Sequence, residues 1–259
     1  MITLKSKEEI EIMREGGRIL AKILNALEKE VIVGNTTLDV DDRAMELIEH
    51  YGVEPMILGY KPVFANRPYP AATCVSINDV LVHGIPNEEP IDFIEGDVVS
   101  IDLVIGYKGL IVDSARTVGV GAVSEEVAQL IKITKLALDA GIKAAQPGNH
   151  INDIGKAIEA VVPEGYGIVE TFCGHGVGYE LHEDPIVPNF VTKGNTPELK
   201  VGMVIAIEPM ITLGSKEVEV LRDGYSAVTA DGSLCAHVEH TVAITERGPV
   251  VLTRASGKM

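Results

Sequence analysis

GDVVSID (residues 96–102) and GMVIAIE (residues 202–208) follow one pattern: a glycine, an apolar run suited to a buried strand, and a carboxylate. An acidic side chain beside a buried strand costs free energy unless a cation meets it. Because the same position is acidic in both segments, we expect two half-sites that face one pocket. Chance similarity between two apolar strands is the alternative explanation.

The repeat extends to the helices that precede each strand. Ser6 and Glu9 form a capping-box pattern before a long apolar helical period, and Ser124 opens a second such period. A Gly-Asn turn follows each long helix, at residues 34–35 and 148–149, and leads into a shorter amphipathic helix. The order of elements is therefore helix, helix and strands, repeated once.

This duplicated pattern predicts the fold class. We expect an α/β (α+β) protein in which a mainly antiparallel, curved sheet is flanked by helices. The chain would form a single domain, residues 1–259, whose pseudo-twofold halves span approximately residues 5–121 and 122–250. We find no linker or low-complexity segment that would divide it further.

The composition excludes several classes of protein. With 22 basic and 38 acidic residues, the formal net charge is −16, and a field of that sign repels nucleic acid and anionic membranes. No apolar stretch has the length of a membrane span, and residues 1–9 lack the apolar run of a signal peptide. The three cysteines cannot all pair and match no zinc module. We therefore predict a cytoplasmic protein that binds neither nucleic acid nor membranes.

The segment after the first acidic strand predicts a hairpin. Two apolar runs flank GYKG (residues 106–109), and pairing its two glycines would place Asp102 directly opposite Asp113. Like charges in opposite positions destabilise a sheet, so a shared metal ion explains them better than a structural role does. A bulge would shift this register by one residue.

The glycine-rich segment CGHGVGYELHEDP (residues 173–185) provides candidate histidines. Its alternate glycines exclude a regular helix and suggest that the backbone approaches a ligand closely. The spacing matches neither a dinucleotide-binding loop nor the zinc motif HExxH. A single histidine is most often structural, but His175 and His182 flank one turn. His83 ends another apolar strand at a turn that contains glycine and proline.

A fourth acid, Glu239, enters the last long apolar strand as Asp113 enters an earlier one. Asp102, Asp113, Glu208 and Glu239 thus contribute four negative charges at the ends of strands in an apolar context. Two divalent cations would neutralise these charges, which favours two metal ions over one. Carboxylate and imidazole ligands suit ions such as manganese, iron, cobalt or zinc better than a thiophilic ion.

At this point the residues resemble those of the type I methionine aminopeptidases over nearly the whole chain. In that family, two aspartates of the hairpin, the histidine of the GHG turn and the glutamates of the IEP and EHT segments bind the metals. The resemblance assigns these roles to Asp102, Asp113, His175, Glu208 and Glu239. It implies the pita-bread fold and two divalent ions per chain, whether cobalt, manganese, iron, zinc or nickel.

The resemblance also implies a reaction. Two ions ~3.5–4 Å apart can activate a shared water and polarise the carbonyl of the first peptide bond. Glu208 would transfer a proton to the leaving amine, His182 would hydrogen-bond the substrate carbonyl, and His83 would lie near the scissile nitrogen. The implied activity is removal of the N-terminal methionine from nascent polypeptides, near the ribosome, by a monomer.

Recognition of methionine requires an apolar pocket with soft or aromatic contacts to the thioether. The family pattern maps this pocket to Tyr60, Tyr69, Cys74, Leu181 and Tyr225. The chain departs from the family at four places. The connection of residues 61–68 is longer than usual, Leu181 replaces a larger aromatic residue, Tyr225 stands where tryptophan is common, and Tyr179 replaces a frequent arginine.

Two other functions are compatible with these residues. Xaa-Pro aminopeptidases and prolidases share the five ligands on the same fold. They usually carry an additional N-terminal domain, whereas here the pattern begins at Ser6. Non-catalytic binding proteins on this fold normally lack one or more ligands. Since all five ligands and both accessory histidines are present, we expect a methionyl aminopeptidase, a metal-dependent hydrolase.

Overall fold

A computed structural model describes residues 1–62 and 65–255, and its helices begin where the sequence predicts them. The helices are α1 (Lys7–Leu27), α2 (Thr37–Tyr51), α3 (Glu125–Ala144) and α4 (Ile151–Glu159). Before α1, the Ser6 hydroxyl accepts a hydrogen bond from the Glu9 N–H, and the Glu9 carboxylate accepts one from the Ser6 N–H. The Ser124 hydroxyl caps α3 in a similar way. These caps satisfy N–H groups that a helix leaves unpaired at its start.

The two shorter helices also begin alike. α2 follows Thr36 and α4 follows His150. In each helix, an aspartate three residues beyond the cap, Asp39 or Asp153, accepts a hydrogen bond from the backbone N–H of the capping residue. Equivalent caps at equivalent places agree with a duplicated chain. Among the described residues, no helix is both long and apolar enough to cross a membrane.

The strands pair in antiparallel fashion throughout the named ladders of the described residues. Their bounds are β1 (Glu54–Pro55), β2 (Cys74–Ile77), β3 (Val80–Val82), β4 (Val98–Tyr107), β5 (Leu110–Gly119), β6 (Gly167–Ile168), β7 (Gly174–Gly176), β8 (Glu183–Val187), β9 (Val204–Ile207), β10 (Met210–Thr212), β11 (Val218–Val220), β12 (Ala227–Thr229), β13 (Cys235–His237), β14 (His240–Thr245) and β15 (Gly248–Val251). The antiparallel character predicted from the sequence is therefore confirmed.

Two sheets repeat one central arrangement. In the first, β4 lies between β2 and β5, and β1 also pairs with β4. In the second, β9 lies between β7 and β14, with β8 and β15 at the edges. The two glycine-led segments of the sequence thus form the central strand of each sheet. Two further sheets have the strand orders β13-β10-β6 and β11-β12-β3.

Helices pack against these sheets and form separate hydrophobic cores. The first core contains Leu20 of α1 and Ile101 of β4, and the second contains Ile154 of α4 and Ile205 of β9. All four side chains have no exposed surface. Burial of such apolar surface is the main favourable contribution to folding, so each acidic strand is held in a rigid, packed layer.

The hairpin between β4 and β5 differs from the predicted one. It closes around a two-residue loop, residues 108–109, so Asp102 lies opposite Ala115 and Asp113 lies opposite Val104. The prediction that the two aspartates face each other directly is wrong. Both loop residues have positive φ, +50° and +80°, as a type I′ turn requires. The second glycine of GYKG therefore belongs in the loop, where positive φ has little cost, and not in a cross-strand pair.

The two aspartates nevertheless share one face of the sheet. The observed partner of Asp102 is two residues beyond the predicted one, and side chains on a strand alternate between faces. A shift by two residues therefore leaves Asp102 and Asp113 diagonally related on the same side. Both lie inside their strands, so the expectation that all four acids lie at strand ends is wrong for this pair.

A buried ion pair attaches the segment before α1 to the glycine-rich segment. Lys5 Nζ lies 2.5 Å from Glu183 Oε2, and the two side chains are only 1% and 6% exposed. The other carboxylate oxygen of Glu183 accepts hydrogen bonds from the N–H groups of Tyr179 and Glu180. Glu183 therefore fixes the turn that carries His182.

We expect this ion pair to stabilise the protein only above acidic pH. Burial raises the pKa of Glu183, but hydrogen bonds from Lys5 and Thr3 lower it by more than burial raises it. The pKa of Glu183 therefore lies below its usual 4.5. Below about pH 4.5 the unfolded chain therefore binds more protons than the folded protein does. The ion pair stabilises the folded protein above that pH, and this stabilisation is lost as the pH falls through the pKa of Glu183 in the folded protein. Replacing Lys5 by methionine should lower the free energy of unfolding by about 3–5 kcal/mol at neutral pH.

Urea unfolding of K5M at neutral pH and at a pH below the folded pKa of Glu183 measures this difference. Lys7 provides a matched control, because its ion pair with Glu246 is exposed, and K7M should cost less than about 1 kcal/mol. An equal loss for K5M at both pH values would contradict the assignment of the effect to an ionised Glu183.

Candidate functional site

Five elements bring acidic and imidazole side chains to one cavity. Asp102 projects from β4 and Asp113 from β5. His175 is the middle residue of β7, Glu208 directly follows β9, and Glu239 lies between β13 and β14. All five side chains line the same cavity. The structure therefore brings together every residue that the resemblance assigns to the metal ligands.

Hydrogen bonds attach the segment around Glu239 to β5. The Glu239 N–H donates to the Ala115 carbonyl at 3.0 Å, and the Ser114 hydroxyl donates to the Glu239 carbonyl at 2.7 Å. The Thr241 hydroxyl accepts from the Asp113 N–H at 2.9 Å and donates to the Asp113 carbonyl at 2.7 Å. The segments that carry Asp113 and Glu239, which are distant in the chain, are thus fixed side by side.

The orientation of His175 suits it to bind a cation. Its Nδ1 lies 2.9 Å from the carbonyl oxygen of Gly176, and a carbonyl only accepts, so Nδ1 is the protonated nitrogen. Nε2 then has a free lone pair. It lies 3.5 Å from Glu208 Oε1 and 3.9 Å from Asp113 Oδ2. A backbone acceptor that fixes the tautomer is typical of histidines that bind metals.

The glycines on either side of His175 allow the surrounding backbone to approach closely. A Cβ atom on Gly174 would lie 2.3 Å from the carbonyl oxygen of Ala206, which is in β9. A Cβ atom on Gly176 would lie 2.3 Å from the carbonyl oxygen of Asp184. We expected these glycines to let the backbone approach a ligand. In the structure, the absence of a Cβ atom at Gly174 and Gly176 instead lets neighbouring strands approach. This close packing places His175 at the cavity.

Three of the four cavity carboxylates, all except Glu208, are not fully neutralised by their surroundings. Burial raises the pKa of Asp102, and burial together with neighbouring carboxylates raises the pKa of Asp113 and Glu239 well above the usual range. One oxygen of each of these three residues is buried without a hydrogen-bonding partner. Buried acids in this state need a proton or a cation. Asp113, His175 and Glu239 offer donor atoms within 4.8 Å of one another, which fits a metal ion.

We expect the metal affinity of the metal-free protein to rise with pH. Because Asp113 and Glu239 have raised pKa values, they must release protons when a cation binds. Calorimetric titration with manganese at about pH 6 and about pH 8 should show tighter binding at the higher pH. Repeating it in buffers of different ionisation enthalpy measures the protons released. Binding without proton release would contradict this account of the cluster.

His182 and His83 reach the cavity from separate loops. The His182 ring lies 4.4 Å from the His175 ring, and the Tyr60 hydroxyl is 3.3 Å from His182 Nδ1. His83 has a positive φ of 60° and packs edge-on at 5.5 Å from the Phe172 ring. Burial lowers the pKa of both His83 and His182 to about 4. Both imidazoles are therefore neutral at neutral pH, so each can donate one hydrogen bond and accept another.

An apolar wall closes the other side of the cavity. The five residues predicted to form a methionine pocket all line it: Tyr60, Tyr69, Cys74, Leu181 and Tyr225. The rings of Tyr69 and Tyr225 meet edge to face at 5.0 Å, and the Tyr69 hydroxyl donates to the Gly84 carbonyl. The cavity volume of about 190 Å³ is more than ten times what one water molecule requires, so a substrate side chain can enter.

The departures from the family pattern have different surroundings. The Tyr225 hydroxyl donates to the carbonyl of Arg67, which joins the pocket wall to the longer connection of residues 61–68. Residues 63 and 64 of that connection lie outside the described residues. Tyr179 is not part of the cavity lining, and its hydroxyl donates to Glu9 in the first turn of α1. It therefore stabilises the N-terminal segment.

Several lining residues were missed by reasoning from the sequence. They are Ile57, Pro62, Val82, Val104, Phe172, Cys173 and His237. The apolar members resemble any core residue, so only the folded chain distinguishes them. His237 did carry a signal: it precedes Glu239 by two residues in an extended segment, and side chains two residues apart on a strand share a face.

Comparison with known proteins places this site in a family. The model of metallopeptidase family M24 matches residues 11–246. A methionine aminopeptidase of Clostridium acetobutylicum is 44% identical over 257 residues, which is 98% of this chain and 99% of the relative. The crystal structure of a methionine aminopeptidase from Thermotoga maritima has a TM-score of 0.92 at 41% identity and covers 98% of this chain and 100% of its own. These likenesses confirm the pita-bread fold.

A more distant likeness extends over part of a longer protein. The prolidase from Pyrococcus furiosus has a TM-score of 0.69 at 26% identity. The match includes 98% of this chain but only 66% of the prolidase chain. The shared fold is therefore common to both kinds of peptidase, whereas full-length correspondence is found with the methionine aminopeptidase of Thermotoga maritima.

Proposed function

Because the chain belongs to metallopeptidase family M24, we propose that it removes the N-terminal methionine from peptides and nascent polypeptides. The observation that supports this most strongly is the composition of one cavity. It combines a buried cluster of four acids and an imidazole with an apolar wall that contains aromatic rings and a thiol. Such a wall suits the thioether of methionine, and the cluster suits hydrolysis.

The acid cluster would hold two divalent ions, whether cobalt, manganese, iron, zinc or nickel. The ligands would be Asp102, Asp113, His175, Glu208 and Glu239. When bound, the ions would polarise the scissile carbonyl and lower the pKa of a water molecule. Their four positive charges would balance the four carboxylates, and the partnerless oxygens of Asp102, Asp113 and Glu239 support the assignment.

Glu208 is placed to accept a proton and return it. Burial raises the pKa of this carboxyl, but contacts with His237 and His175 lower it below its usual range, so it is ionised at neutral pH. Its backbone carbonyl accepts a hydrogen bond from the Asn189 side chain at 3.0 Å. We assign Glu208 to take a proton from the attacking water and deliver it to the leaving amine.

The two neutral histidines would contact the substrate. The Tyr60 hydroxyl faces Nδ1 of His182, so a hydrogen bond donated by Tyr60 leaves the ring proton on Nε2. We assign this N–H to the carbonyl oxygen of the scissile bond, where negative charge develops. Burial also keeps His83 uncharged at neutral pH. His83 would lie beside the scissile nitrogen and the leaving group.

Peptide hydrolysis tests the proposal. The purified protein, loaded in turn with each candidate metal, is assayed on Met-Ala-Ser, Leu-Ala-Ser, N-acetyl-Met-Ala-Ser and an Xaa-Pro peptide. We expect cleavage of Met-Ala-Ser only after its first residue, slower cleavage of the leucine peptide, and none of the acetylated one. Hydrolysis of the Xaa-Pro peptide alone would replace this proposal with prolidase-like activity. No hydrolysis with any metal would favour a binding protein.

The cellular setting is part of the same proposal. The protein would act as a monomer in the cytoplasm on nascent chains as they leave the ribosome, where N-terminal methionines first become accessible. Sedimentation velocity of the metal-loaded protein measures the oligomeric state, and ribosome profiles of cell extracts measure association with translating ribosomes. A stable dimer or a complete absence from ribosome fractions would contradict the corresponding part.

A further inference from the structure

We propose that His237 is a positioning residue that orients Glu208, an inference that rests on the proposed peptidase function. His237 ends β13 and is only 2% exposed. Its Nε2 lies 3.4 Å from Glu208 Oε2. Among the described residues, no hydrogen-bonding partner is found for this nitrogen. A buried polar atom without a partner calls for an explanation, and the Glu208 carboxylate that this nitrogen faces provides one.

The backbone of His237 is held on both sides. Its N–H lies 3.1 Å from the Thr117 hydroxyl and 3.3 Å from the Ser100 hydroxyl, and its carbonyl accepts from Thr117 Oγ1 at 2.5 Å. The two hydroxyls lie 2.8 Å from each other, and Ser100 and Thr117 are cross-strand partners in β4 and β5. The same sheet face bears Asp102 and Asp113. The sheet that presents these acids therefore also fixes the position of His237.

The two oxygens of Glu208 face different histidines. Oε1 lies 3.5 Å from Nε2 of His175, and Oε2 lies 3.4 Å from Nε2 of His237. His175 has its proton on Nδ1, because that nitrogen contacts the Gly176 carbonyl, so its Nε2 cannot donate in the neutral ring. Of these two histidines, only His237 can therefore donate a hydrogen bond to the Glu208 carboxylate. A donor on Oε2 leaves Oε1 directed towards the His175 side of the cluster.

This contact restricts rotation of a carboxylate that would both bind metal and transfer a proton. At 3.4 Å the separation is longer than a usual N–H to oxygen hydrogen bond, and such contacts often shorten when a catalytic site is occupied. Loss of the donor would leave Oε2 of Glu208 unpaired and its orientation undefined. Partners of metal-binding carboxylates are typically worth 10–100-fold in metal affinity or activity.

Two amide substitutions at His237 test this role. In H237Q, the side-chain amide can reach about as far as the original Nε2 and can donate to Glu208. In H237N, a similar amide ends about one bond shorter. For each variant and the wild type we would measure manganese affinity of the metal-free protein by calorimetry, thermal unfolding, and kcat and KM on Met-Ala-Ser. The affinity measurement does not depend on turnover.

We expect H237N to lose about 10–100-fold in kcat and in affinity for one ion, with KM changed less than about threefold. H237Q should stay within about threefold of the wild type in every measurement. Unchanged values in H237N, or losses in H237Q as large as those in H237N, would overturn the proposal. If H237N does not fold, H237Q decides alone: retained affinity and kcat support the donor, and a tenfold loss overturns it. An inactive wild type would reject the proposed function, while the affinities would still test His237.

Discussion

Replacing Asp113 by asparagine is expected to abolish tight metal binding and to reduce kcat/KM on Met-Ala-Ser by more than about 100-fold. Partners of ligands are already worth 10–100-fold, and Asp113 itself is one of the three residues whose donor atoms lie within 4.8 Å of one another. An amide keeps the size of the carboxylate but removes its charge. Metal content after purification and calorimetric titration measure the loss of binding.

The same substitution should leave the metal-free protein at least as stable as the wild type. Burial and the neighbouring carboxylates Asp102 and Glu208 raise the pKa of Asp113, so its ionised form is destabilising when no cation is present. The gain in melting temperature that manganese gives the wild type should disappear in D113N, because only binding to the folded state stabilises it. Melting curves with and without manganese provide the comparison.

Asp41 offers a matched control for loss of a buried aspartate. It is 5% exposed and accepts hydrogen bonds from the backbone of Ala72 and from the backbone and hydroxyl of Thr73. D41A should be less stable than the wild type, because it removes the acceptor of all three hydrogen bonds and leaves buried donors unpaired. It should still bind metal, because Asp41 is not among the residues that line the cavity. Metal loss in D41A equal to that in D113N would show that general destabilisation, and not ligand loss, governs metal content.

Replacing His182 by alanine is expected to lower kcat by about 10²–10³-fold, the range observed when a donor to a developing oxyanion is removed. Metal content should stay at the wild-type level, because His182 is not one of the proposed ligands. Its neutral ring, with a pKa lowered to about 4 by burial, donates a hydrogen bond without bringing a charge. Steady-state kinetics together with metal analysis of H182A measure both effects.

Y60F gives a graded control for this prediction. It removes the hydroxyl 3.3 Å from Nδ1 of His182 and retains the imidazole. One neutral hydrogen bond contributes about 0.5–1.5 kcal/mol, so the loss in kcat should be roughly tenfold or less. Loss of metal from H182A would instead identify His182 as a ligand, and an unchanged kcat would remove it from the reaction.

Local patterns predicted the helices well because their causes are local. The Ser6–Glu9 capping box and the Ser124 cap depend on residues three positions apart, and such contacts form wherever the helix begins. The duplicated apolar runs similarly indicated the two central strands. The hairpin register was harder to predict. Moving the two-residue loop along the chain by one residue changes every cross-strand partner.

The candidate site was predicted mainly from residues that are expensive to bury. Acids such as Asp102 and Glu208 stand out within apolar strands because they need a partner. His237 was missed, although it stands two residues before Glu239. Its closeness to Glu208 depends on the pairing of β13 with β10 and on hydroxyls from β4 and β5, which no short segment encodes.

The amino-acid sequence by itself determined the helix starts, the two acidic central strands and the identity of the charged residues in the cluster. These features follow from short-range hydrogen bonding and from the cost of burying charge. Only the tertiary structure decided that Asp102 and Asp113 are diagonal neighbours, that the glycines beside His175 admit other strands, and that His237 faces Glu208. Each of those depends on contacts between residues far apart in the chain, where packing of several strands sets positions that local sequence leaves free.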